Sequence, residues 1–125
     1  MQYEFVQDTV EFLSWQSYGL REINKRWQDI IKKTTTGLEA EYKIALIEAE
    51  DFLYQILEER GYEGDTFEEM VKNARQKMSL DFKEILLGHT IRNAIVYDPD
   101  YRLDNEKARQ LLVMYERAIK NMALV

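Results

Sequence analysis

Apolar residues recur every three or four positions along most of this chain, the spacing that places side chains on one face of an α-helix. The clearest run covers residues 38 to 60 and continues for more than five helical turns. Its apolar members are Leu38, Tyr42, Ala45, Leu46, Ala49, Phe52, Leu53, Ile56 and Leu57. The expected outer face is acidic and consists of Glu39, Glu41, Glu48, Glu50, Asp51, Glu58 and Glu59. We therefore predict an amphipathic helix here, against which the other helices pack.

The same periodicity predicts helices in the rest of the chain, and no segment shows the alternating pattern of a half-buried strand. The predicted helices cover residues 3 to 17, 20 to 33, roughly 80 to 97 and 105 to 122, and a shorter helix after Thr66 has Phe67, Met70, Val71 and Ala74 inward, before Met78-Ser79-Leu80-Asp81 breaks the pattern. The fold class is accordingly all-α: a helical bundle of four to five core helices plus an N-terminal helix. We expect residues 1–19 to form an N-terminal helical extension and residues 20–125 to form the bundle.

Several residues have the character of helix boundaries. The β-branched run that ends in glycine, Thr34-Thr35-Thr36-Gly37, predicts a short loop. Gly61 is placed to end the long helix in the left-handed conformation. Thr66 followed by Glu69 matches a capping box that opens the next helix. Asp104 is a candidate N-cap for the last helix.

The helix predicted over residues 80 to 97 is unusual because apolar residues lie on two of its sides. One stripe contains Phe82, Ile85, Leu86, His89, Asn93 and Val96, and a second contains Leu87, Ile91, Ala94 and Ile95. Asp98-Pro99 should end this helix, because the residue before proline is disfavoured in the helical region. A helix that is apolar on two sides lies deep in a bundle or across a subunit interface. We expect a homodimer through this helix.

Composition limits the chemistry that is available. The chain has 125 residues, no cysteine and a single histidine, so it is the size of one domain without disulfides or thiolate metal sites. We expect no metal site and no cofactor. No basic-then-apolar leader and no stretch of about 18 apolar residues is present. We therefore expect a cytoplasmic protein that does not insert into a membrane.

Charge is distributed unevenly along the sequence. Residues 38 to 70 contain eleven acidic and two basic residues, a net charge of −9, whereas residues 20 to 37 and residues 71 to 125 each carry +3. An acidic centre disfavours duplex DNA, whose non-specific binding depends on neutralising phosphates. The flanking segments leave room for a local basic groove.

Most catalytic arrangements are excluded by the residues that are absent. A lone histidine, His89, with no cysteine and no Gly-x-Ser-x-Gly elbow argues against nucleophilic catalysis, and the five glycines are too dispersed to form a phosphate-binding loop. One carboxylate arrangement stays open as the weakest alternative. Pairs spaced three apart on helices could hold Mg²⁺ over a nucleotide, as in a helical nucleotide hydrolase: Glu48 with Asp51, and Asp81 with Glu84. A solvated acidic face explains these pairs better.

The segment Arg92-Asn93-Ala94-Ile95-Val96-Tyr97 resembles the motif helix of HEPN domains, small helical bundles common in bacterial defence and toxin systems. The family pattern is Arg, a polar residue that is often Asn, three further residues and then His. The similarity extends from about residue 40 to 122. It includes Ala45-Leu46-Ile47-Glu48-Ala49-Glu50, the Arg60 to Thr66 turn, His89 three residues before Arg92, and Asp98-Pro99-Asp100-Tyr101 leading to Ala108 and Tyr115. The chain is especially similar to uncharacterised bacterial proteins of this kind.

The resemblance implies that two subunits pair their motif helices and that Arg and His together cleave RNA without a metal. Here Tyr97 occupies the position of the motif His. Tyrosine has a reference pKa of about 10 and is a poor base at neutral pH, which argues against an active enzyme. His89 precedes Tyr97 by eight residues, about 12 Å along a helix axis, so it is not a simple replacement.

These observations leave two principal hypotheses. The first is a catalytically degenerate, dimeric interaction or RNA/nucleotide-sensing module, with Arg92, Asn93 and Tyr97 as binding residues. The second is a divergent metal-independent ribonuclease in which Arg92, Asn93 and His89 are catalytic. A purely structural role is also open for Arg92 and Asn93 at a dimer seam, and His89 is expected to be a hydrogen-bonded core residue.

Overall fold

The computed structural model describes residues 19–78 and 82–123, and within these residues the chain is helical and contains no strand. Five α-helices follow one another: α1 (residues 19–31), α2 (Glu39–Glu59), α3 (Phe67–Met78), α4 (Phe82–Tyr97) and α5 (Asn105–Ala123). The all-α prediction is confirmed. The helix predicted over residues 3 to 17 lies outside the described residues.

Three helix boundaries lie where local sequence features predicted them, one at the end of a helix and two at the start. Gly61 adopts a left-handed φ of 86° after α2. At the start of α3 the Glu69 backbone N–H donates to Thr66 Oγ1 at 3.1 Å, while the Asp65 N–H donates to the Glu69 carboxylate at 2.8 Å. The Lys107 N–H donates to Asp104 Oδ1 at 2.8 Å. These three predicted boundaries are confirmed because each depends only on neighbouring residues.

The predicted loop after α1 is partly wrong. Lys32–Thr35 forms one turn of 3₁₀-helix, and Thr34 is buried. The Thr34 hydroxyl donates to the Ile31 carbonyl at 2.7 Å, and the Thr35 hydroxyl donates to the Lys32 carbonyl at 2.8 Å. These bonds continue the helical path in spite of the β-branched run, and the chain turns only at Gly37, whose φ is 78°.

The first apolar position of the α2 stripe is also corrected. Leu38 is 60% exposed, because it lies at the N-cap with an extended backbone and does not follow the helical register. The next seven stripe positions after Tyr42, from Ala45 to Leu57, are buried as predicted. The helix is therefore amphipathic from its second turn onwards.

Helices α2 and α5 form the centre of the bundle and run parallel to each other. At one end the Glu39 carboxylate accepts the Leu103 N–H at 2.7 Å and Arg102 Nε at 3.0 Å. At the other end the Arg60 guanidinium donates to the Ala123 carbonyl. The Leu103 N–H, with help from Arg102, also lowers the pKa of Glu39.

Helix α4 lies close against the middle of α5. A Cβ added at Gly88 would come within 2.7 Å of the Tyr115 hydroxyl and 3.0 Å of Met114 Cε. The absence of a side chain at Gly88 thus sets how near the two helices approach. None of the described helices has the combination of length and apolar character that crossing a membrane requires.

Candidate functional site

Helix α4 directs three of the predicted site residues towards α2. His89 precedes Arg92 by three residues and Asn93 by four, so all three share one side of the helix. The side chains of His89 and Arg92 are 15% and 26% exposed, and Asn93 is half-buried. The structure therefore brings together the three residues that the ribonuclease hypothesis requires.

The acidic residue beside His89 and Arg92 is Glu50, for which the sequence analysis predicted the wrong face of α2. Glu50 was expected on the outer surface of α2, but it is only 3% exposed. It follows Leu46 by four residues and precedes Leu53 by three, so it belongs to the buried stripe. This spacing could have predicted that Glu50 is buried. It was overlooked because the neighbouring residues of the segment are also acidic.

Two hydrogen bonds hold the Glu50 carboxylate. His89 Nδ1 lies 2.7 Å from Glu50 Oε2, and the Tyr115 hydroxyl donates to Glu50 Oε1 at 2.8 Å. Because a carboxylate oxygen accepts this bond, His89 Nδ1 carries the hydrogen. His89 Nε2 faces the amide donor Asn93 Nδ2 and is the acceptor of that contact. Such a carboxylate fixes both the tautomer and the orientation of the imidazole.

The hydrogen-bond chain continues through two polar side chains of α4. Asn93 Nδ2 lies 3.3 Å from His89 Nε2, and Arg92 Nη1 donates to Asn93 Oδ1 at 3.3 Å. Donors therefore point in one direction, from Arg92 through Asn93 and His89 to Glu50. We call these four residues and Tyr115 the Glu50 cluster. Within it both ring nitrogens of His89 are occupied, which leaves no free base.

Arg92 has charged neighbours but no short contact to them. Its Nε lies 3.6 Å from Glu50 Oε2, and its Nη2 lies 4.0 Å from Asp51 Oδ1. Nε is buried and has no partner within hydrogen-bond distance among the described residues. Charge-assisted hydrogen bonds are usually about 2.7–2.9 Å long. The positive charge is thus balanced, while the donors of Arg92 are poorly satisfied.

Aromatic rings from two helices cover the His89 side of the cluster. The Phe67 ring of α3 stacks on the His89 ring at a centroid distance of 4.9 Å, and Tyr54 of α2 lies 6.5 Å from Phe67. Phe67 itself is buried. These rings limit the access of water to the imidazole.

Tyr115 is a second member of the cluster that function-directed sequence reasoning missed. The sequence analysis named it only among the residues that carry the HEPN resemblance, and it is fully buried. Burial raises the pKa of its hydroxyl far above the usual value, and the Glu50 charge raises it further. Tyr115 is therefore a hydrogen-bond donor to Glu50. An apolar stripe gives no signal for such a contact, because the partner comes from another helix.

Tyr97 lies apart from the Glu50 cluster. It is the last residue of α4, one helical turn beyond Asn93, and it is 80% exposed. Arg92 and Asn93 consequently face α2, whereas the Tyr97 ring faces solvent. The predicted binding set of Arg92, Asn93 and Tyr97 is divided between the interior and the surface.

Two of the four carboxylates of the Mg²⁺ alternative, Glu48 and Asp51, face basic side chains. Glu48 forms an ion pair with Lys33 at 3.0 Å, and Asp51 faces Arg92. Glu84 is exposed on α4, and Asp81 lies outside the described residues. Residues 19–78 and 82–123 contain no group of three His, Cys, Asp or Glu side chains placed to hold a metal ion.

Comparison with models of known protein families, with curated proteins and with solved structures found no match to this chain. The HEPN resemblance therefore stays a prediction from the residues that suggested it.

Proposed function

We propose that this chain is a catalytically degenerate HEPN-like module that pairs with a second copy through α4 and binds a phosphate-bearing ligand, RNA or a nucleotide, at Arg92 and Asn93. The observation that carries the proposal is the outer side of α4. Leu87 and Tyr97 lie on this side and are 51% and 80% exposed. The other side of the same helix is packed against α5 and tied to α2 through the Glu50 cluster.

Loss of catalysis follows from the state of the two candidate bases. Tyr97 stands at the position of the motif His, and a tyrosine hydroxyl keeps its proton at neutral pH. Both ring nitrogens of His89 are occupied, by Glu50 and Asn93. A general base must reach the proton it removes, and His89 has no free nitrogen for that. Binding is therefore favoured over cleavage. Such a dimer would act in the bacterial cytoplasm.

Association through α4 can be tested with one substitution on that helix. We expect the wild-type protein to be a dimer and Leu87→Glu to be monomeric at the same concentration. In a symmetric dimer the change removes two leucines from the interface, each contributing about 1.5–3 kcal/mol, so Kd should rise at least about a hundredfold. Sedimentation equilibrium measures this directly.

Val113→Glu is the matched control for that experiment. Val113 is 49% exposed and lies on α5, so the same charge is introduced at similar exposure on a different helix. We expect this variant to stay dimeric. A monomeric wild-type protein, or equal weakening by both substitutions, would contradict association through α4.

The divergent ribonuclease is retained as a second candidate because of the Glu50–His89 pair. A carboxylate that holds Nδ1 of an imidazole leaves Nε2 as a potential base, and only Asn93 would have to move away. This alternative predicts RNA cleavage in EDTA that is abolished by His89→Gln. Our proposal instead predicts no cleavage by the wild-type protein. It predicts a gain of cleavage in Tyr97→His, read on a labelled oligoribonucleotide, if the Arg92 site is otherwise competent.

A further inference from the structure

The N–H donors of Arg92 are farther from their acceptors than those of an arginine that holds a structure together. Its nearest acceptors lie at 3.3, 3.6 and 4.0 Å, all longer than a good charge-assisted hydrogen bond. A guanidinium carries five N–H donors in a planar fork that suits two oxygens of a phosphate. Some N–H groups of Arg92 therefore lack a good acceptor. An oxyanion could accept shorter hydrogen bonds from Arg92 than the present acceptors do.

The two carboxylates beside Arg92 differ in how firmly they are held. Glu50 is buried and accepts hydrogen bonds from His89 and Tyr115, so it cannot leave without exposing unsatisfied polar groups. The side chain of Asp51 is 57% exposed and touches Arg92 only at 4.0 Å. Asp51 is thus the replaceable partner, on the solvent side of the guanidinium.

The Asp51 side chain can turn away from Arg92 into a neighbouring groove. It lines a groove between α1 and α2, about 340 Å³ in volume, with two cations, Arg26 and Lys33, and two further acids, Asp29 and Glu48. Lys33 is already paired with Glu48 at 3.0 Å. A carboxylate that leaves Arg92 therefore turns into an open groove of mixed charge, and its movement costs little because the carboxylate stays in contact with water.

We infer that Asp51 is an intramolecular competitor at the Arg92 site, which a phosphoryl group of the ligand must displace. This inference rests on the proposed function and adds the regulation of that same site. The shared chemistry is a phosphate oxyanion, which either an RNA strand or a free nucleotide can supply. Asp51 lowers the affinity for both.

The test is the binding of two probes to wild-type protein and to Asp51→Asn. One probe is a short fluorescent single-stranded oligouridylate, followed by anisotropy, and the other is ATP, followed by calorimetry. Exposed ion pairs are worth about 0.2–1 kcal/mol, so we expect Asp51→Asn to bind about two- to fivefold more tightly. The probe that shows this gain identifies the source of the phosphate.

Glu48→Gln is the matched control. Glu48 lies on the same helix and in the same groove, its side chain is 43% exposed, and its partner is Lys33 and not Arg92. We expect it to leave the affinity little changed, because a charge without contact to the site is screened by salt. In an Arg92→Gln background, Asp51→Asn should produce no gain, since the competition no longer exists.

The outcomes separate the inference from the proposed function. Wild-type binding that Arg92→Gln abolishes, with no gain in Asp51→Asn, overturns the competitor role and leaves the binding function standing. Equal gains in Asp51→Asn and Glu48→Gln also overturn it, because general electrostatics then explains the effect. If neither probe binds to any variant, the competitor role and the anion-binding function are both wrong.

Discussion

At the scale of single residues, the buried carboxylate of Glu50 determines which side chains come together at the site. A buried carboxylate without partners is strongly destabilising, and it is tolerated only when donors surround it. Here the donors come from two other helices, His89 from α4 and Tyr115 from α5. The Arg92 guanidinium adds a positive charge 3.6 Å away. The sequence identified the α4 residues, because polar groups inside an apolar helix are conspicuous. Glu50 was missed because it is one acid among eleven between residues 38 and 70, although its spacing from Leu46 and Leu53 places it in the buried stripe.

The raised pKa of Tyr115 predicts a loss of stability at high pH. Below about pH 10 the tyrosine is protonated in both the folded and the unfolded chain. Above that pH the unfolded chain releases the proton and the folded chain retains it, so the free energy of unfolding falls as pH rises. By pH 11 this amounts to about 1.4 kcal/mol. Tyr115→Phe should lack this component, as measured by urea unfolding at pH 8 and pH 11.

Tyr97→Phe provides the comparison for that measurement. Tyr97 is 80% exposed, so its removal should leave the pH dependence of the wild-type protein unchanged. Tyr115→Phe should also be less stable at pH 8 by about 1–3 kcal/mol, because Glu50 Oε1 loses its donor. An identical pH dependence in all three proteins would show that Tyr115 does not retain its proton.

At the scale of helices, the burial of residues along α4 differs from what its hydrophobic pattern predicted. Its two apolar stripes predicted burial on two sides. Ile85 and Ile91 are buried against the bundle, whereas Leu87 and Val96 are about half exposed. Each stripe therefore contains both a buried and an exposed residue, so the pattern did not separate the side that the bundle covers from the side that it leaves open. Which residues are covered depends on the packing of α2 and α5.

The close packing of α4 on α5 predicts that Gly88→Ala destabilises the protein. Alanine is favoured over glycine in a helix by about 1 kcal/mol, so local propensity alone predicts stabilisation. The new Cβ would lie 2.7 Å from the Tyr115 hydroxyl, and forcing the helices apart typically costs about 1–3 kcal/mol. We expect a net loss of free energy of unfolding, measured by urea denaturation.

Thr90→Ala is the control on the same helix. Thr90 is exposed two residues further along α4, where alanine improves helix propensity without any new contact. It should be neutral or slightly stabilising. A gain of stability in both variants would mean that α4 and α5 are not in close contact at Gly88.

At the scale of the whole molecule, the sequence by itself determined the helices and most of their ends. Apolar spacing, the left-handed Gly61, the Thr66–Glu69 capping box and the Asp104 cap are local features, because hydrogen bonds within a few residues satisfy the free groups of a helix end. The all-α class follows from them. Only the tertiary structure decided that α2 and α5 run parallel, that Glu50 is buried between helices, and that Asp51 rather than Glu50 faces solvent at Arg92. Residues 50, 89 and 115 are far apart in the chain, and their meeting depends on how whole helices pack, which no local pattern specifies.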